Sequence, residues 1–69
     1  DDARQAWLEA LAISEQRNDP IAQAIDLTHL AELDRRLGDE ERWREQLSQA
    51  LELAPADSEL ALSIRQSLG

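Results

Sequence analysis

The chain has no cysteine, methionine, lysine, tyrosine or phenylalanine. Without cysteine, neither a disulfide framework nor a thiolate metal site can form. Without methionine anywhere in 69 residues, the sequence reads as a processed product or as a piece of a larger protein. All seven basic residues are arginines, the pattern a GC-rich gene produces, and they face fifteen acidic ones for a net charge of −8. That excess repels a phosphate backbone, so nucleic-acid binding is not expected, and neutral or basic partners are favoured over acidic ones. No apolar run approaches the roughly 18 residues of a membrane span. The acidic opening Asp1-Asp2 does not begin a basic-then-apolar signal peptide. Membrane insertion is therefore not expected, and a soluble chain is, with the cytoplasm the favoured compartment.

Glycine and proline are scarce, two of each, and three of the four fall between stretches of helical periodicity. Ala3, Ala6, Trp7, Ala10, Leu11 and Ser14 share one face at 3.6-residue spacing, which predicts a first helix from about Asp2 to Gln16. Asn18-Asp19-Pro20 then closes one helix and opens the next, with Asp19 as N-cap and Pro20 at the first helical position. Ala24, Leu27, Leu30, Ala31 and Leu37 form the inner stripe of the second helix. Gly38 follows as a left-handed C′ residue, and Asp39 caps a third helix whose Glu40 and Glu41 suit its dipole. Trp43, Leu47, Ala50 and Leu51 are its buried stripe. Pro55 ends it, Asp57 or Ser58 caps a fourth, and Leu60, Ala61, Ile64 and Leu68 complete the pattern. The expected fold class is all-α, built of antiparallel helix–turn–helix units, with no strand.

From Leu27 to Pro55 the residues fall into one helix–turn–helix unit. Leu27, Leu30, Ala31, the turn Leu37-Gly38-Asp39, then Leu47, Ala50, Leu53 and Pro55 resemble the tetratricopeptide repeat. Ala10 to Ile13 repeat the pattern of Ala50 to Leu53, and Trp7 that of Leu47, in the manner of the longer-repeat subclass. The resemblance implies that residues 1–17 are the second helix of a preceding repeat, 20–54 a complete repeat, and 57–68 a following or capping helix. Two positions depart from the family. Asp34 stands where Tyr is usual, setting a carboxylate on the edge of the core stripe. Trp43 stands where Ala is usual, so its ring must widen the hairpin or turn toward a neighbouring helix.

Such repeats present a groove to peptides and rarely carry chemistry. By position, the groove would be lined by Ile25, Thr28, His29, Glu32, Arg35 and Arg36. Thr28 and Glu32 replace the Lys and Asn with which one subclass grips a C-terminal carboxylate, so that mode is disfavoured. Ile25 with paired arginines suits a peptide carrying both apolar and acidic side chains. The resemblance thus implies a protein- or peptide-binding module of a larger scaffold.

Other chemistry finds little support in the residues. His29, the single histidine, has no second His or Cys to complete a metal site. Arg35-Arg36 could clamp a carboxylate or phosphate; alternatively they lie on a solvated face, with Glu32 and Arg36 an i,i+4 pair like Glu40 and Arg44. Asp26, Glu32 and Asp34 do not all converge on one face. Ser14, Ser48, Ser58, Ser63 and Ser67 have no nucleophile motif around them. No enzyme activity and no cofactor are expected. A small-molecule sensor would need a closed pocket for which four short Ala- and Leu-rich helices leave little room. The alternative function is self-association. One full repeat and two halves leave faces uncovered, and Trp7, Leu11 and Leu62 are the candidates to be covered by a second chain, as a homodimer or by helix exchange.

Overall fold

A computed structural model describes residues 2–69; the reading of Asp1 in the acidic opening lies outside them. The described residues form four helices: α1 (Asp2–Gln16), α2 (Pro20–Arg36), α3 (Glu40–Leu53) and α4 (Glu59–Leu68), with no strand among them. Sequence-adjacent helices pack antiparallel, α1 on α2, α2 on α3 and α3 on α4. The molecule measures 33 × 30 × 15 Å. Its short dimension is about that of two helix layers packed 8–10 Å apart.

Each turn has a local cause. After α1, Asn18 takes a left-handed φ of 54°, which Asn tolerates better than most residues. The Asp19 carboxylate then accepts from the Ala22 backbone N–H at 3.2 Å, and Pro20 supplies a preset φ at the start of α2. Gly38, at φ 84°, reverses the chain after α2. Asp39 caps α3 by accepting from the Arg42 N–H at 3.2 Å. Of Asp57 and Ser58, the latter caps α4, accepting from the Ala61 N–H at 3.1 Å.

The buried apolar side chains come from α2 (Ala24, Leu27, Leu30, Ala31), α3 (Trp43, Leu47, Ala50), Ala54 and α4 (Ala61, Ile64), and all but Leu30 form one cluster. From α1 only Leu11, half-buried, packs against it. Three sequence expectations need correction. Leu37 is 67% exposed instead of lying on the α2 stripe; it is the C-cap residue, beyond the last turn, where Gly38 has begun to turn the chain away. Ala3 and Ala6 are likewise exposed, so the covered face of α1 starts at Arg4 and Trp7. Asp34 is not on the edge of the core but inside it, 1% exposed.

Arg4 explains that burial. Its guanidinium donates to Asp34 Oδ1 across the α1–α2 seam. At the other end of the same seam, the Ser14 hydroxyl, 8% exposed, donates to Asp26 Oδ2 at 2.9 Å, with the Ala10 carbonyl 3.1 Å away as a second acceptor. Gln23 Nε2 donates to the Ser14 carbonyl at 3.4 Å. Between these ties the Trp7 and His29 rings stack, centroids 4.0 Å apart and 8° from parallel. Helix α2 therefore makes two unlike seams, one polar toward α1 and one apolar toward α3 and α4.

Candidate partner-binding cleft

Buried positions on α2 run through Ala24, Asp26, Leu27, Leu30, Ala31 and Asp34. At 100° per residue they cover a broad arc and leave the opposite strip of the helix open. Ile21 and Ile25 stand on that strip, 51% and 42% exposed, and Thr28, Glu32, Arg35 and Arg36 continue it. Toward its C-terminal end the strip descends into a cleft of about 230 Å³. Thr28, Glu32 and Arg35 of α2 form one wall, and Ser63 and Ser67 of α4 the other. Ala31, Trp43 and Leu47 lie between them.

The electrostatics of the cleft are uneven. Glu32 is engaged with Arg36 at 3.5 Å, both largely exposed. Thr28 Oγ1 donates to the Ala24 carbonyl at 2.7 Å, so it presents only acceptor capacity to the cleft. Arg35 lies over the Trp43 ring, its Cζ 5.5 Å from the centroid. Arg44 is equally close to the same ring but is paired with Glu40 at 3.3 Å. Trp43 is thus buried, at 9% exposure, with its ring turned toward Arg35 of α2.

Of the six residues expected to line a groove, Thr28, Glu32 and Arg35 come together in the cleft, while Ile25 lies above it on the open strip. Arg36 points outward to Glu32, and His29 is drawn to the other flank by Trp7. The self-association candidates also separate. Trp7 and Leu11 are half-buried against their own chain, whereas Leu62 is 51% exposed. Sequence reasoning missed Ser63 and Ser67, whose signal was i,i+4 spacing around the core residue Ile64. It also missed Ile21, one turn before Ile25. The Arg4–Asp34 and Ser14–Asp26 ties were also missed, because each joins residues far apart in the chain, 30 and 12 positions.

A second, more open depression of about 280 Å³ lies over the α1–α2–α3 junction, bordered by Leu11, Leu27, Leu53, Glu15 and Glu52. Among the described residues no three His, Cys, Asp or Glu side chains are grouped to hold a metal ion, and no helix is long and apolar enough to cross a membrane. Comparison with family models, with curated proteins and with solved structures gives no match.

Proposed function

We propose that the chain is a protein-interaction module of tetratricopeptide type, a segment of a helical-repeat scaffold that holds an extended peptide along the open strip of α2. In this reading α1 is the second helix of a preceding repeat, α2 and α3 are a complete repeat, and α4 opens or caps the next. Binding, and not catalysis, is its work. The observation that carries the proposal is the division of α2. Two of its faces are consumed by the fold, and the third offers two exposed isoleucines leading into a cleft with a free arginine. An apolar stretch followed by a polar, arginine-bearing end suits a peptide carrying both apolar and acidic side chains.

The test is amide chemical-shift mapping with two capped peptides, one alternating glutamate and leucine, the other lysine and leucine. The glutamate peptide should give saturable shifts at Ile21, Ile25, Thr28 and Arg35. The lysine peptide is attracted by the net charge of −8 and should spread its shifts over the acidic surface. The proposal fails if neither peptide moves the α2 strip, or if the strongest shifts lie on α1 or at the α1–α2–α3 depression.

A further inference from the structure

One guanidinium in the cleft is not consumed by the fold. Arg4, Arg36, Arg42 and Arg44 are each paired with a carboxylate. Arg35 has no carboxylate partner among the described residues; it is held by the face of Trp43, which restrains a planar cation while leaving its N–H fork free to donate. Ser63 and Ser67, one turn apart on α4, line the same cleft. Their hydroxyls meet no hydrogen-bond partner among the described residues.

From this arrangement we infer that the cleft is the subsite for a glutamate side chain of the bound peptide, with Arg35 receiving the carboxylate and Ser63 and Ser67 supplying hydroxyl donors. The inference rests on the peptide-binding reading of α2. A carboxylate is planar and matches the guanidinium fork with two parallel hydrogen bonds. The methylenes of glutamate suit a floor of Ala31, Leu47 and the Trp43 ring. Size agrees as well, because about 230 Å³ lies below the roughly 300–1,000 Å³ of small-molecule pockets and fits one side chain.

Charge selects against a phosphate. Its roughly −1.5 to −2 would exceed the single positive charge of Arg35 and meet Glu32 on the same wall. The overall −8 opposes any anion at a distance, but charges beyond about 8 Å are largely screened at physiological salt. Contact with Arg35 therefore decides the outcome for a single carboxylate.

The experiment compares three capped peptides by chemical-shift titration: glutamate–leucine, the same sequence with glutamine, and the same with phosphoserine. The glutamine peptide should bind about tenfold or more weakly, the loss expected for a hydrogen bond to a charged group. The Trp43 indole N–H and the Ser63 and Ser67 amides should move with the glutamate peptide. Arg35→Gln should abolish the preference for glutamate over glutamine, Arg35→Lys should retain part of it, and Ser63→Ala with Ser67→Ala should reduce it. Arg35 is solvent-exposed, so these variants are expected to keep the helical circular dichroism of the parent. Equal affinity for glutamate and glutamine, tighter binding of phosphoserine, or an undiminished preference in Arg35→Gln would each overturn the subsite. If the glutamine peptide binds equally well while still shifting Ile21 and Ile25, the subsite falls and the α2 groove stands. If no peptide shifts α2, both fall.

Discussion

Replacing Arg4 by methionine should destabilise the chain far more than replacing its partner Asp34 by leucine. The asymmetry follows from burial. The Asp34 side chain is 1% exposed and its Oδ2 already has no hydrogen-bond partner, whereas the Arg4 side chain is 24% exposed. Taking away Arg4 leaves a buried carboxylate with both oxygens unpaired. Breaking a buried ion pair in this way costs about 3–5 kcal/mol. Arg4 lies at the rim of the seam, so water can follow it in, and about 2–4 kcal/mol is the expected loss. Taking away Asp34 instead leaves an arginine able to turn to solvent, and leucine adds apolar contact, so the change should stay within about 1 kcal/mol. The double variant Arg4→Met/Asp34→Leu should then recover most of what Arg4→Met loses.

Those magnitudes are large here. A domain of this length has a folding free energy of only about 3–10 kcal/mol, with small cores at the lower end. Urea unfolding followed by far-ultraviolet circular dichroism reads all three variants. The reasoning is refuted if Arg4→Met lies within about 0.5 kcal/mol of the parent, a cost typical of an exposed pair. It is equally refuted if the double variant is no more stable than Arg4→Met, because the liability would then not be the stranded carboxylate.

At the far end of the same seam, Ser14→Ala removes the hydroxyl that donates to the buried Asp26 and should cost about 1–3 kcal/mol in the same urea assay; a change below about 0.5 kcal/mol would show that water replaces the serine. Gly38→Ala meets open space for its Cβ, yet φ is 84°, so a loss of about 1–2 kcal/mol should come from the left-handed backbone alone. Gly38→Asn should lose less, and identical losses would point away from the backbone explanation. In sedimentation across a concentration series the chain should run as a monomer, because Trp7 and Leu11 are already engaged within it. Trp7→Glu should lower the unfolding midpoint and leave the mass unchanged. A dimer that Trp7→Glu dissociates would put self-association ahead of peptide binding.

The helices were legible because their boundaries depend on local chemistry. Asp19, Pro20, Gly38, Asp39 and Ser58 each act within a turn of their own position, and sequence spacing reports such interactions directly. The buried seam between α1 and α2 was less legible. A periodic pattern scores Asp26 and Asp34 as polar and therefore outward. Their burial depends on Ser14 and Arg4, which lie 12 and 30 positions away. Leu37 fails in the opposite sense: it is apolar and nearly in phase, but the helix ends before the position can be covered. In the cleft, the α2 wall was readable from one helix, whereas Ser63 and Ser67 acquire meaning only once α4 is set against α3.

The unlike seams of α2 bear on how such a module could change its partner without changing its fold. The apolar seam supplies driving force through burial of area, which is tolerant of sliding and non-directional. The polar seam adds discrete ties at its two ends, Arg4–Asp34 and Ser14–Asp26. A one-turn slip of α1 would break both and strand two carboxylates, so the seam fixes the register that the apolar contacts leave free. Ile21, Ile25, Glu32, Arg35 and Arg36 belong to neither seam and are all exposed. Substitutions there fall among surface changes, usually within about 0.5 kcal/mol. If the strip holds a peptide as proposed, its residues are free to vary at little expense to stability, while Arg4 and Asp34 are constrained as a pair. A mutational scan reading stability and peptide binding separately should divide α2 along this line, with stability losses confined to the two seams and binding losses to the strip. Large stability losses from Ile25→Ser or Arg36→Gln would show that the strip is part of the fold and would remove the ground for calling it a surface set aside for a partner.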